Sequence, residues 1–268
     1  MNQSTTMNQI RYVVLMTLAI TAGTPAQVRD PPPKPVAIIA ELFTSEGCSS
    51  CPPADDLLRH LLKEQPIDGV VIIGLSEHVD YWDRLGWKDR FSSAKFSRRQ
   101  EEYSQVFGDD RIYTPQMVIG GREEMVGIEA DKIHAAIGRA AKRPMAVLTV
   151  YATQDVVERS AAVQVEIREV PETARRGDLD VMLAIVENGL ESHVKSGENA
   201  KRTLKHSAVT RTLVTVGKVP KSSGSGSFTT NVALPGSWRA LQLRFVAFLQ
   251  DRRTHEIHGA ASAGLAIQ

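Results

Sequence analysis

Glu41-Leu42-Phe43-Thr44-Ser45-Glu46-Gly47-Cys48-Ser49-Ser50-Cys51-Pro52-Pro53-Ala54 contains both cysteines of this 268-residue chain. Before it, Val36 to Phe43 is a continuous apolar run interrupted only by Glu41, the pattern of a strand covered on both faces. After it, Ala54, Leu57, Leu58, Leu61 and Leu62 recur at helical spacing within Pro52 to Leu62. The Cys-x-x-Cys pair therefore sits at a strand-to-helix turn. A helix N-terminus carries unpaired N–H groups and partial positive charge, and both stabilise a thiolate. Cys48, at the exposed mouth of the turn, is expected to have a lowered pKa and to attack. Cys51, in the first helical turn, is expected to resolve the mixed disulfide. Pro52 is tolerated there because its missing N–H would be an orphan.

Cysteine usage points the same way. A bridge across two residues closes a tiny loop and restrains little unfolded-chain entropy. Exported domains stapled for stability tie distant segments with several bridges instead. Reactivity is the reading this favours, and a static oxidised pair is the other. Lys and Arg total 32 against 31 Asp and Glu, so no basic surplus suggests nucleic acid and no acidic tail suggests a solvating segment. At the N-terminus, Arg11 precedes an apolar run from Tyr12 to Ala22, with small residues Thr24 and Ala26 beyond. That is the pattern of a signal peptide, 1–26, cleaved after Ala26, and the run is too short to span a bilayer comfortably; an uncleaved anchor is the alternative. The expected location is periplasmic or secreted, with no membrane span in the mature chain.

Asp30 to Pro35 (D-P-P-P-K-P) makes 27–35 a stiff, proline-rich tether. Beyond the first strand and helix, Val70 to Leu75 reads as a second buried strand and Ser93 to Phe107 as a helix. Gln116–Ile119, Gly120-Gly121 and Glu123–Val126 read as a hairpin, and Ile128–Lys142 as an amphipathic helix. The order is βαβαββα. At Pro144 helices give way to about seven short strands: Ala146–Tyr151, Ala161–Ile167, Asp180–Val186, Thr210–Val216, Ser227–Leu234, Leu241–Phe248 and Glu256–Ala260. Ser222 to Ser227 is a flexible loop. The fold class expected is an α/β thioredoxin-like domain over 36–143 followed by an all-β sandwich (Ig/FnIII-like) over 144–268, the two being separable.

Thr114-Pro115 precedes a strand after a β-α-β-α layout. In thioredoxin-like proteins a cis-proline at this place packs against the active cysteines, so that resemblance implies a cis peptide at Pro115; a trans Thr-Pro in a loop is the alternative. Glu41 interrupts an apolar strand, and by the same resemblance a buried carboxylate there takes the proton of Cys51; otherwise it is partly solvated near the strand end. A more specific resemblance covers nearly the whole mature chain. The stretch Glu41–Ala54, His78-Val79-Asp80-Tyr81-Trp82-Asp83, Gly86-Trp87, Tyr113-Thr114-Pro115-Gln116 and Gly197-Glu198-Asn199-Ala200 together resemble the domain-of-unknown-function family 1223 (DUF1223). This implies a thioredoxin-like fold in a secreted protein and no settled reaction.

His78 follows the second strand, as Cys48 follows the first, and sites of open α/β sheets gather at carboxyl ends of strands. His78 is thus either a proton shuttle or thiolate counter-ion, or part of a packing cluster. Glu46 reads as a solvated loop charge, Trp82 and Trp87 as packing, and His206, His255 and His258 as surface or packing residues. The Gly197–Ala200 segment reads as a loop without chemistry. The function these residues favour is an exported thiol–disulfide oxidoreductase without cofactor. It would act on exported protein thiols or disulfides, or on small thiols, with a redox partner. Two alternatives stand: a Cu(I) or soft-metal carrier using Cys48, Cys51 and His78, and a binding module with an inert disulfide. The sequence gives neither redox direction nor substrate.

Overall fold

The structure, a computed structural model, describes residues 34–109 and 111–267 besides Met1. The segment read as a signal peptide and the tether up to residue 33 lie outside the described residues. Seven elements come first: β1 (Val36–Thr44), α1 (Pro52–Glu64), β2 (Val70–His78), α2 (Ala94–Phe107), β3 (Gln116–Ile119), β4 (Glu123–Val126) and α3 (Ala130–Ala141). Strands follow: β5 (Val147–Asp155), β6 (Ser160–Arg168), β7 (Leu179–Glu187), β8 (Leu190–His193), β9 (Thr203–His206), β10 (Val209–Val219), β11 (Gly226–Ala233), β12 (Leu243–Asp251), β13 (Ile257–Gly264) and β14 (Ala266–Ile267). The seven strands read after Pro144 are all present. The short β8–β9 hairpin and β14 were not legible, because two to four residues carry too little alternation.

β1 runs parallel to β2, from Val36 opposite Val70 to Thr44 opposite His78. β3 lies antiparallel on the other side of β1, and β4 beside β3. Alternate side chains of a strand point to opposite faces, and β1 uses both. Ile38, Ala40 and Leu42 pack against Ala54, Leu58 and Leu61 of α1 and Ile133 and Ile137 of α3. Phe43 faces the other way, into a cluster with Tyr103 of α2, Val79 and Val118. Burying each large apolar side chain of this kind contributes about 1.5–3 kcal/mol. The hairpin from β3 to β4 turns through Gly120 and Gly121, both left-handed (φ 59° and 66°). A Cβ on Gly121 would stand 1.9 Å from the carbonyl oxygen of His255, so only glycine admits this approach.

The eight-stranded sheet has the order β13-β12-β7-β10-β2-β1-β3-β4. It crosses Pro144: β10 bonds in parallel to β2 at Val209 opposite Ser76, and the Ser76 amide donates to the Ala208 carbonyl at 2.8 Å. A second sheet, β11-β6-β5-β14, packs against the β12 and β7 end. The later strands are therefore layered two deep, but one layer continues into the first half. Ile39, Ile73 and Leu75 share a core with Ala184, Val186, Val246 and Phe248. Lys34–Gln268 is one compact unit, so Pro144 marks a change of element type and not the edge of a body. The molecule is mixed α/β, with a large sheet and three α-helices among the described residues. No helix among them is long and apolar enough to cross a membrane.

Candidate functional site

The turn after β1 carries the two cysteines, and Cys51 is the residue on which α1 begins. Cys48 and Cys51 form a disulfide with Cα atoms 5.4 Å apart. The local fold differs from expectation in one chemical respect. Pro52 and Pro53 fill the first two helical positions, so that turn offers no N–H there, and the amides of Ala54 and Asp55 both bond to the Cys51 carbonyl (2.9 and 3.1 Å). The helix dipole remains, but fewer free donors are left for a thiolate.

Cys48 was expected at an exposed mouth. Both cysteines instead have 0 % exposure, while Ser49 and Ser50 between them are exposed. The cover comes from two directions. On one side stands the Thr114-Pro115 peptide, which is cis; the Thr114 carbonyl lies 3.9 Å from Cys48 Sγ and 3.5 Å from Ser50 Oγ. Trp82 Nε1 donates to Thr114 Oγ1 at 2.9 Å, tying the aromatic loop to that peptide. On the other side is the loop between β8 and β9. Asn199 is wholly buried, and its Nδ2 donates to the carbonyls of both Glu46 and Cys48, each at 2.9 Å. Glu198 accepts from the Ser49 amide at 3.1 Å, and the Ser49 hydroxyl together with that amide holds its carboxyl below the usual range. The Gly197–Ala200 loop, read as chemically silent, is thus a strap over the cysteine turn.

Glu41 is buried, but on the face of β1 that it shares with Phe43, away from α1 and Cys51. It accepts from Arg99 Nε (2.7 Å) and from Tyr103 Oη (2.5 Å). Glu77 of β2 lies 3.5 Å from the same guanidinium; burial, with Glu41 adding repulsion, pushes its carboxyl well up against the pull of Arg99. Residue parity along the strand settles the matter: Leu42 faces α1, so Glu41 cannot. The role expected for Glu41 at Cys51 does not fit this geometry.

His78 ends β2, and the structure gives it partners other than the sulfurs. Its Nδ1 pairs with Asp89 Oδ2 at 2.6 Å, and its ring packs edge-on against Phe91 and His206 at 5.4 and 4.9 Å between centroids. Among the described residues no group of three His, Cys, Asp or Glu side chains is placed to hold a metal ion, so the soft set of Cys48, Cys51 and His78 is not assembled. Burial alone would push His78 down, but Asp89, Asp55 and Glu46 outweigh it and its pKa rises. Asp89 is held low in turn: burial raises it, and the His78 charge and hydrogen bond overcome that.

Glu46, read as a solvated charge, is wholly buried. Burial raises its pKa, but His206 at 3.3 Å and Trp87 Nε1 at 2.7 Å help bring it below the ordinary value. His206, contributed by β9, is also buried. So is Asp55 of α1, whose pKa burial raises to about 6. Glu46, Asp55, His78, Asp89 and His206 therefore form one buried ionisable cluster at the root of the cysteine turn. Asp55 and Asp89 are not singled out in the sequence, whereas His206 reads there as a surface or packing residue and Asn199 as part of a chemically silent loop. Asp55 left a local signal, since it lies four residues after Cys51, hence on the same side of α1, beside the apolar stripe, and Asn199 left one in the Gly197–Ala200 motif.

Solved structures resemble the chain over most of its length. Protein AGR_C_4864 from Agrobacterium tumefaciens, a crystal structure, is 28% identical with a TM-score of 0.63, over 86% of this chain and 95% of that one. HBP35 of Porphyromonas gingivalis is 15% identical with a TM-score of 0.65, over 87% of this chain and 76% of that one, and shares the fold alone. A comparison with curated proteins finds no match. A family model described as a protein of unknown function matches residues 39–250, and on that match the chain belongs to the DUF1223 family.

Proposed function

We propose that this protein is an exported thiol–disulfide oxidoreductase whose working pair is Cys48 and Cys51. The observation that carries the reading is the Cys48–Cys51 disulfide at the β1–α1 turn, beside the cis Thr114-Pro115 peptide. The βαβαββα order with strands β2-β1-β3-β4 supports a thioredoxin-like first half, and two facing sheets support an Ig/FnIII-like sandwich in the second. Export rests on residues 1–26 as a signal peptide. Substrates in this reading are exported protein thiols or disulfides, or small thiols, with a separate redox partner. Cys48 exchanges with the substrate and Cys51 resolves. Equilibration of the folded protein with glutathione buffers is expected to give a reversible two-electron titration. Cys51→Ala is expected to trap partners covalently and Cys48→Ala to trap none.

Burial of both sulfurs favours one competing reading, an inert disulfide in a binding module. That reading expects the bond to resist glutathione until the protein is unfolded.

A further inference from the structure

Successive residues of a strand turn their N–H and C=O groups to opposite edges, so each edge can be followed rung by rung. The odd-numbered residues in and beside β2 face β1: the Val79 amide donates to the Thr44 carbonyl, and the Gly69 carbonyl accepts from Val36, both at 2.9 Å. The even-numbered residues face the other edge. There the Ser76 amide donates to Ala208, and the N–H and C=O of Ile72 are both met by the side-chain amide of Gln65, at 2.7 and 3.0 Å. Gly74 stands between them. Had the ladder with β10 continued, the Ala208 amide would reach the Gly74 carbonyl. Ala208 is left-handed instead (φ 52°), and its amide donates to Asn188 Oδ1 at 2.9 Å. Among the described residues no group meets the N–H or the C=O of Gly74, although the residue is buried.

Backbone groups left out of a ladder are satisfied by water or by a ligand. Those of Gly74 border a cleft of about 390 Å³, between β2 and the strands β7, β10 and β12, a volume within the range of small-ligand sites. Gly74 has no side chain, so what it presents to the cleft is its backbone. The floor is apolar, with Leu62, Val186 and Val246, and the rim carries Arg59, Lys63 and Arg244. No carboxylate lines it. Arg59 and Lys63 have acidic neighbours on α1, Asp56 and Glu64, whereas Arg244 has none among the described residues and donates to Ser262 Oγ at 3.0 Å. One open rung, an apolar floor and an unbalanced cationic rim therefore meet at one place.

We propose that this cleft binds a short, extended peptide end: an acylated apolar residue paired to Gly74, followed by a free carboxylate. The N–H of the paired residue donates to the Gly74 C=O, and its C=O accepts from the Gly74 N–H, as one rung of an added strand does. Its side chain lies on the apolar floor, and the carboxylate meets the rim, where three cations without a lining acid favour a negative ligand. The ligand is short because the edge is open for one rung only. Ser76 on one side is paired with Ala208, and Ile72 on the other with Gln65. The open donor and acceptor select a peptide unit over a plain fatty anion, which could satisfy neither in a strand-like pair. The inference is independent of the redox reading.

The test is amide NMR of the full mature chain titrated with N-acetyl-valyl-leucine. A Cβ at residue 74 would stand 2.8 Å from Leu62 Cδ1, so Gly74 itself is left in place. The Gly74 amide proton is expected to move downfield and to saturate. Methylating the valine nitrogen of the peptide removes the donor to the Gly74 carbonyl and is expected to weaken binding about tenfold. Amidating the carboxylate is expected to weaken it about three- to fivefold, because the rim is solvated. Arg244→Gln is expected to weaken the acid form by a similar factor and to leave the affinity of the amidated peptide unchanged. No saturable movement of Gly74 up to about 10 mM peptide overturns the inference. So does an N-methylated peptide, or octanoate, that binds as tightly as the parent. A Gly74 signal that moves with protein concentration before peptide is added shows a second copy in the cleft, and one that moves when residues 27–33 are removed shows the chain's own tether there; either overturns it.

Discussion

Arg99 shows how much a single buried charge can hold together. Its guanidinium meets Glu41 at 2.7 Å, Glu77 at 3.5 Å, Tyr103 Oη at 3.2 Å and Gln250 Oε1 at 3.1 Å. These residues come from β1, β2, α2 and β12, so one side chain joins both halves of the chain. Burial disfavours the charge, and Glu41, Tyr103 and Glu77 overcome that, so its pKa is raised. Removing one member of a buried pair leaves the other uncompensated, a cost of about 3–5 kcal/mol. Arg99→Met is therefore expected to lower stability by about that amount in urea unfolding. Adding Glu41→Gln is expected to recover part of the loss, since the orphaned carboxylate is then gone. A double variant no more stable than Arg99→Met rules out this account.

At the scale of elements, the loop of the β8–β9 hairpin lies over the cysteine turn. Its loop supplies Asn199 to two buried carbonyls and Glu198 to the Ser49 amide, and Arg202 Nη1 fixes Asn199 by donating to its Oδ1 at 2.7 Å. A buried carbonyl left without its donor costs about 1–3 kcal/mol. Asn199→Ala is expected to lower stability by roughly that much, and to speed reduction of the folded protein by about five- to tenfold because the strap opens more often. Stopped-flow reduction beside urea melts separates the two effects. A destabilised variant with an unchanged reduction rate means that the strap does not control access. Helix α1 contributes differently: it brings Leu58 and Leu61 to the core and Asp55 to the cluster from adjoining positions. A single amphipathic helix thus serves packing and site at once.

For the whole molecule, the continuous sheet makes the halves depend on one another. Ile39, Ile73 and Leu75 of the first half are covered by Val186, Val246 and Phe248 of the second. Exposing three such side chains removes about 5–9 kcal/mol, comparable to the entire stability of an ordinary domain. Residues 34–143 expressed alone are therefore expected to lack a cooperative thermal transition and dispersed amide NMR signals. A cooperatively folded fragment would show that the inter-half core is dispensable. The site has the same dependence, because Asn199 and His206 reach the cysteine turn from the second half.

The amino-acid sequence by itself determined the local elements and the place of the Cys48–Cys51 pair at a strand-to-helix turn. The apolar run of β1, the helical spacing of α1, the Gly120-Gly121 turn and the strands after Pro144 are all written in periods of two or 3.6 residues, which depend on neighbours within a few positions. The motifs also sufficed to recognise the family, and they placed the Thr114-Pro115 peptide near the cysteines. Only the tertiary structure decided what covers each face. The single parallel bridge between Ser76 and Val209 leaves no periodic trace in either strand. Glu41 and Glu46 could not be oriented from the sequence, because a carboxylate is buried only where Arg99, Trp87 or His206 comes to meet it from far along the chain. The same holds for Cys48, sealed by Asn199 and the Thr114 carbonyl. Periodicity records that a surface must be buried, whereas the partner that buries it is chosen by long-range packing and by the pairing of buried charge.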